Sequence, residues 1–319
     1  MPDLLTDVES EVQRWTTYQR ERFPLLAHGP LIAAFTSAAL CVSALLRDPV
    51  GGATASAPSG RAFIAAFVSG LLFFLQLRIS DEFKDVRDDV RHRPYRPVPR
   101  KLVTLRELRA LGLGAALAQA ALAAWVDPRM LPLLAIVWVW LLLMRRNFFM
   151  GAWLHDRPVA VLVSHMVIVP LIDLYATAFD WLPRAAPPSP GLWWFALASF
   201  GNGVVVEVGR KLRAPADEEA GVDTYSARWG RPRALAVFIG AMAVTLLCAW
   251  QVAVAVGIAW LAPAAIGVVI GLTMLAGMRF LRVGAPRSGR WFEWLSGVHT
   301  LAVYAGCGIV PWLMRRAAA

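Results

Sequence analysis

Acidic residues and cysteines are scarce in this chain, and both shortages narrow what it can be. Only 22 Asp and Glu face 32 Lys and Arg, and three cysteines are spread over 319 residues. Cys41, Cys248 and Cys307 fit no metal or disulfide spacing and sit in apolar runs, so they read as core packing. Strands are not called for anywhere, because the apolar runs are long enough to cross a bilayer of about 30 Å as helices. Charges inside those runs are few, His165 and Asp173 being the main exceptions. That argues against a channel or symporter, which more often places ionisable groups near the bilayer midplane. No cleavable signal is expected ahead of the first run: residues 1–24 are polar and amphipathic, with Glu9, Glu11, Arg14, Arg20 and Arg22, and read as an interfacial helix.

What is abundant is hydrophobicity. The chain is 58% hydrophobic with a mean hydropathy of +0.53, which makes it an integral membrane protein. A window of about 19 residues predicts nine transmembrane helices, near 25–46, 60–77, 105–125, 130–146, 158–181, 191–209, 232–250, 255–278 and 292–313. The expected organisation is an amphipathic segment over 1–24 and an all-α membrane domain over 25–319. GGATASAPSG at 51–60 and PRAAPPSP at 183–190 read as connectors.

The basic residues orient the chain. With the N-terminus inside, only Arg47, Arg61, Arg129, Arg184, Arg315 and Arg316 of the 32 Lys and Arg fall outside. The positive-inside rule therefore places the N-terminus in the cytoplasm and the C-terminus outside. The formal charge of +10 is then one-sided, facing anionic headgroups and soluble phosphorylated metabolites, and needs no nucleic acid to explain it.

Two polar clusters on that cytoplasmic side carry the chemistry. The first follows the second span: RISDEFKDVRDDVRHRPYRPVPRK, residues 78–101. Asp81, Asp85 and Asp89 recur every fourth residue with Glu82 beside the first, so a helix would align the three aspartates on one face. Carboxylates so spaced repel one another unless something cationic lies between them. A divalent ion such as magnesium takes carboxylate and phosphate oxygens together, and Arg93 and Arg96 are placed to hold the same anion. The alternative is a solvated helix end with i,i+4 charge pairs. The second cluster, residues 207–233, follows the sixth span. It mixes Glu207, Asp217, Glu218, Glu219 and Asp223 with Arg210, Lys211, Arg213 and Arg228, and together the two clusters suggest half-sites meeting across one cavity.

These features resemble the UbiA superfamily of intramembrane prenyltransferases. Its first motif, N-D-x-x-D-x-x-x-D, is matched by Asp81, Glu82, Asp85 and Asp89, and its R-P-[LV]-P-x-G segment by Arg96 to Pro99, with Lys101 where glycine is usual. Of the second motif, K-D-x-x-D-x-x-x-D-x-x-x-G-x-x-T-L-P-x-x-x-G, the tail is present as Gly221, Thr224 and Gly230, with Tyr225 and Ser226 in place of Leu-Pro. Asp217 matches the last aspartate, but Arg210 and Arg213 take the two earlier acidic positions. Arginine cannot ligate a cation. Three readings stay open: the arginines bind diphosphate in place of a metal, Glu207 supplies a ligand, or the fold persists without transferase activity.

The resemblance implies a helical bundle with a central cavity opening near the cytoplasmic face of a bacterial inner membrane. It implies a prenyltransferase, a transferase of alkyl groups other than methyl, acting between an isoprenoid diphosphate and an unidentified lipophilic or aromatic acceptor. Magnesium held by Asp81, Glu82, Asp85, Asp89, Asp217 and Glu207 would assist ionisation, with Arg93, Arg96, Arg145, Arg146, Arg210, Lys211 and Arg213 on the diphosphate. His165, Asp173 and Tyr175 are the candidate acceptor contacts; an interhelical hydrogen bond is the other account of them. A UbiA-type terpene cyclase and a non-catalytic lipid-binding or transport protein on the same fold are the alternatives.

Overall fold

A computed structural model describes residues 2–48, 57–219 and 221–318, with side chains from Ser10 onward. Residues 51–56 of the expected GGATASAPSG connector, and the Glu9 side chain, lie outside the described residues. In chain order the helices are α1 (Pro2–Arg22), α2 (Leu25–Arg47), α3 (Gly60–Lys84), α4 (Val86–His92), α5 (Leu105–Val126), α6 (Met130–Arg145), α7 (Gly151–His155), α8 (Pro158–Met166), α9 (Ile168–Trp181), α10 (Leu192–Gly209), α11 (Tyr225–Trp229), α12 (Arg231–Ala255), α13 (Leu261–Arg282), α14 (Arg290–Tyr304) and α15 (Val310–Ala317). No strand occurs among the described residues.

Local chemistry sets the ends. Ser59 caps α3 by accepting from the Ala62 N–H, and Thr104 and Glu107 form a reciprocal capping box at α5. The fifth apolar run breaks at Val167 between α8 and α9. Pro170 accounts for this, since it lacks the N–H for the carbonyl of residue 166 and its ring crowds that carbonyl.

The expected count of nine spans needs correction. Among the described residues eight segments are long and apolar enough to cross a membrane, counting α8–α9 and α14–α15 as one each; α6, with 16 residues, is shorter. At 1.5 Å per residue it reaches about 24 Å of the roughly 30 Å needed. Its ends nonetheless sit at opposite ends of the bundle. Arg129, just before it, donates to the Leu182 carbonyl (2.7 Å), whereas Arg145 lies 4.2 Å over the Phe83 ring at the end of α3.

One end of the bundle gathers α1 and the two charged clusters, tied by Arg100 to Glu21 (2.8 Å) and by Arg228 to the His155 carbonyl (3.1 Å). The other end is closed by Arg47 on Asp180 (3.0 Å) and by Arg315 on the carbonyls of Asp48 (2.6 Å) and Val256 (2.9 Å). Between them the core is apolar, centred on Leu40, Phe73, Phe179 and Phe195 in one half and on Phe238, Phe280 and Phe292 in the other. The three cysteines are free and buried, as core packing requires.

Small residues let helices approach closely where lipid supplies no hydrophobic drive between them. In the π-type turn Ala305–Ile309, a Cβ on Gly308 would lie 2.6 Å from the Ala38 carbonyl oxygen of α2. Gly308→Leu is therefore expected to destabilise the protein by roughly 1–3 kcal/mol through overpacking. Gly297→Leu, where a Cβ meets nothing within 4 Å, serves as the control. Thermal melts in detergent check this; equal melting of the two variants would refute the close-approach argument.

Candidate active site

The first cluster keeps its spacing but not a straight axis. α3 ends at Lys84, Asp85 (φ −95°, ψ 2°) forms the junction, and α4 follows. The Asp85 N–H donates to the Asp81 carbonyl (2.9 Å) and the Asp89 N–H to the Asp85 carbonyl (2.8 Å), so the bend preserves the four-residue repeat.

The four acids of the motif, Asp81, Glu82, Asp85 and Asp89, meet different surroundings. Glu82 is buried against Arg22 from the end of α1, with its Oε2 buried and unpartnered. Asp89 is buried and accepts from Arg96 (2.6 Å) and, more distantly, from Arg93 (3.5 Å), so both arginines proposed for diphosphate face a carboxylate here. Asp81 is half-exposed, 3.4 Å from Arg78. Asp85 makes no side-chain hydrogen bond or ion pair among the described residues. Burial, and secondarily the Asp81 charge, push its carboxyl above the ordinary 3.8. Lys101 holds φ 64°, the left-handed conformation that a glycine there would enter without strain.

The second cluster starts as α10 ends. Glu207, in its last turn, accepts from Arg210 (2.5 Å) and Lys211 (2.9 Å). Burial opposes the Arg210 charge but is outweighed by Glu207 and Asp81, so its guanidinium holds its proton more tightly than an ordinary arginine does. Arg213 turns into its own loop, to Glu219 (3.1 Å) and the Asp217 carbonyl (3.3 Å). The Asp217 carboxylate accepts the Arg287 backbone N–H (2.6 Å) and lines a crevice of about 460 Å³ with Arg210, Arg213, Arg287, Arg290 and Glu293.

The motif's tail is conformational. Gly221 (φ 78°) packs on His92 of α4, where an added Cβ would lie 2.6 Å from the ring. Thr224 caps α11 by accepting from Ala227 (3.1 Å) and donates to Glu218 (2.7 Å).

The fold thus joins part of the expected set. Gly221 on His92 clamps the two clusters together, and Asp81 lies within electrostatic reach of Arg210. Asp217 faces the α13–α14 loop instead. Arg145 and Arg146 stack near Phe83 (4.2 Å) and Phe149 (5.9 Å). Of the three residues expected at an acceptor, His165 reaches this end through Lys84 (3.1 Å). Asp173 is buried deep in the bundle, bonded to Ser199 and to Tyr304 (3.1 Å), and Tyr175 packs edge-on to Phe73 (5.5 Å). Sequence reasoning passed over Lys84, although its place one residue before Asp85 and three after Asp81 was the available signal.

Among the described residues no three His, Cys, Asp or Glu side chains converge on one point, so no all-protein metal cage is preformed. The residues still suit magnesium, which keeps several waters and needs only one or two carboxylates beside substrate phosphates. Asp85, unpaired and partly buried, and the orphaned Glu82 Oε2 are oxygens of that kind.

Comparisons with known proteins agree with the architecture. A UbiA homologue from Aeropyrum pernix K1, solved in its apo form, is similar at a TM-score of 0.64 and 15% identity over 88% of this chain and 97% of its own. A structure described as digeranylgeranylglyceryl phosphate synthase in membranes is similar at a TM-score of 0.59 and 12% identity, over 92% of this chain and 99% of its own. At such identities the likeness is one of fold. No curated protein matches the chain by sequence. The model of the UbiA prenyltransferase family matches residues 39–298, taking in both charged clusters and most of the helices. This chain belongs to the UbiA prenyltransferase family.

Proposed function

We propose that this protein is an intramembrane prenyltransferase that transfers a prenyl group from an isoprenoid diphosphate to a lipophilic or aromatic acceptor. The observation that carries this reading is that unpaired Asp85 stands beside half-exposed Asp81, with Arg210 of the second cluster within electrostatic reach of Asp81, at one end of an apolar bundle. By the distribution of basic residues that end faces the cytoplasm, with the N-terminus inside.

Prenyl transfer breaks an allylic carbon–oxygen bond, so negative charge grows on the departing diphosphate. Asp81 and Asp85 would hold a magnesium ion, which would supply Lewis-acid neutralisation of that charge. Arg210, held by Glu207 and permanently charged, offers planar donors to diphosphate oxygens where the family motif has an acid. This supports the reading in which arginine replaces a metal. Arg213 is occupied by Glu219 and contributes less. The apolar core accommodates the prenyl tail and keeps water from the allylic cation.

The rival, non-catalytic reading draws on Glu82, Asp89 and Asp217, all of which are engaged by arginine side chains or backbone. The test is turnover of radiolabelled farnesyl or geranylgeranyl diphosphate by the purified protein in lipid, with and without an extract of acceptors. Transfer that requires magnesium and acceptor, and stops on chelation, is the expected outcome. A cyclic hydrocarbon formed without acceptor would assign a cyclase instead, and binding without turnover a lipid carrier.

A further inference from the structure

Lys84 belongs to none of the motif positions, yet it sits where the two charged clusters and α8 come together. Its ammonium lies 3.1 Å from Nε2 of His165. The other ring nitrogen, Nδ1, is 2.9 Å from the Val161 carbonyl oxygen. A carbonyl only accepts, so Nδ1 carries the ring proton and Nε2 presents its lone pair to Lys84. The imidazole is further walled by Phe148 at 5.9 Å, itself packed on Trp140 at 5.3 Å. His165 is thereby a fixed acceptor that holds a flexible lysine in one place.

The direction in which Lys84 is held matters. Asp85, Asp81, Lys211 and Glu207 all act electrostatically on it, and it is exposed to solvent. Lys211 is bonded to Glu207 (2.9 Å) and lies over the Tyr225 ring (5.4 Å). Two lysines from different elements, Lys84 and Lys211, thus lie within electrostatic reach of one another at this end of the bundle, Lys211 held by Glu207 and Lys84 by His165. An ammonium has three donors, and His165 accepts from one of them.

We infer that Lys84 is a diphosphate-binding residue of this chain and that His165 is the positioning residue that aims it, so that a lysine pair, Lys84 and Lys211, grips the leaving group. This rests on the isoprenoid diphosphate reading above, and it assigns His165 to the leaving group rather than to the acceptor.

Binding of inorganic pyrophosphate with magnesium to the purified protein in nanodiscs, followed by calorimetry, tests it without any need for an acceptor. Replacing one charge-assisted contact should weaken binding about tenfold in Lys84→Met, while Lys84→Arg stays close to wild type. His165→Leu should weaken binding in the same direction, and His165→Gln, whose amide oxygen can still accept from the ammonium, should recover most of it. Arg106→Met, which removes an exposed charge at the same end, should change nothing. Wild-type affinity in Lys84→Met, or indifference to His165→Leu, overturns the inference while leaving the diphosphate reading intact. Failure of the wild-type protein to bind pyrophosphate overturns both.

Discussion

Asp85→Ala is expected to lower kcat for prenyl transfer by about 10²–10³ while leaving the fold in place. Asp85 differs from the other three acids of the motif. Glu82, Asp89 and Asp81 each lie against an arginine, so removing any of them disturbs an ion pair as well as a possible ligand. The Asp85 side chain bonds to nothing, caps nothing, and stands partly buried beside a second carboxylate. A group kept in such a place without a structural partner marks a functional position.

The folded Asp85 carboxyl titrates above 3.8 because burial, then Asp81, disfavour the charged form. Without metal, the wild-type protein is therefore relatively more stable at acid pH and loses that contribution as pH rises through the folded value. At neutral pH, metal-free Asp85→Ala should melt at or above the wild-type temperature. Full turnover in the variant, measured as released pyrophosphate, would sink the assignment, and a lowered melting temperature would make Asp85 a structural residue.

Asp180→Ala is the largest expected stability change, about 3–5 kcal/mol, because it breaks a buried charged network from one side. Asp180 has no exposed surface and accepts from Ser43 (2.8 Å) and Arg47 (3.0 Å) of α2, with Arg184 at 3.8 Å. This network holds α2 to α9 at the end of the bundle away from the candidate site. Loss of stability should therefore leave magnesium–pyrophosphate affinity of the folded fraction unchanged. Thermal melts of Asp180→Ala and of the double variant Arg47→Met, Asp180→Leu check it: an apolar pair recovers much of the loss, and unchanged melting of the single variant contradicts the argument.

Much of the architecture was legible along the chain because hydropathy is a local property. The helical runs and the gathering of basic residues at one end could be read without contacts. The count was the weak point: α6 looks like the other runs in composition and is set apart by length alone. The motif tail was legible too, since Gly221 and Gly230 take positive φ and Thr224 caps α11, requirements that residue type reports directly.

The straight helical face expected for Asp81, Asp85 and Asp89 was less so. Spacing reports a repeat, and the bend at Asp85 leaves that repeat unbroken while pointing Asp89 to Arg96.

The chain by itself determined a helical membrane protein with a UbiA-like pair of charged clusters on one side, because periodicity, hydropathy and motif spacing are all short-range. The tertiary structure alone decided which acids are free to meet a cation. The deciding partners are remote: Arg22 lies 60 residues from Glu82, His165 lies 81 from Lys84, and Arg287 lies 70 from Asp217. A carboxylate's availability depends on which donor or cation reaches it in space, and only the packing of the helices and loops brings those groups within bonding distance.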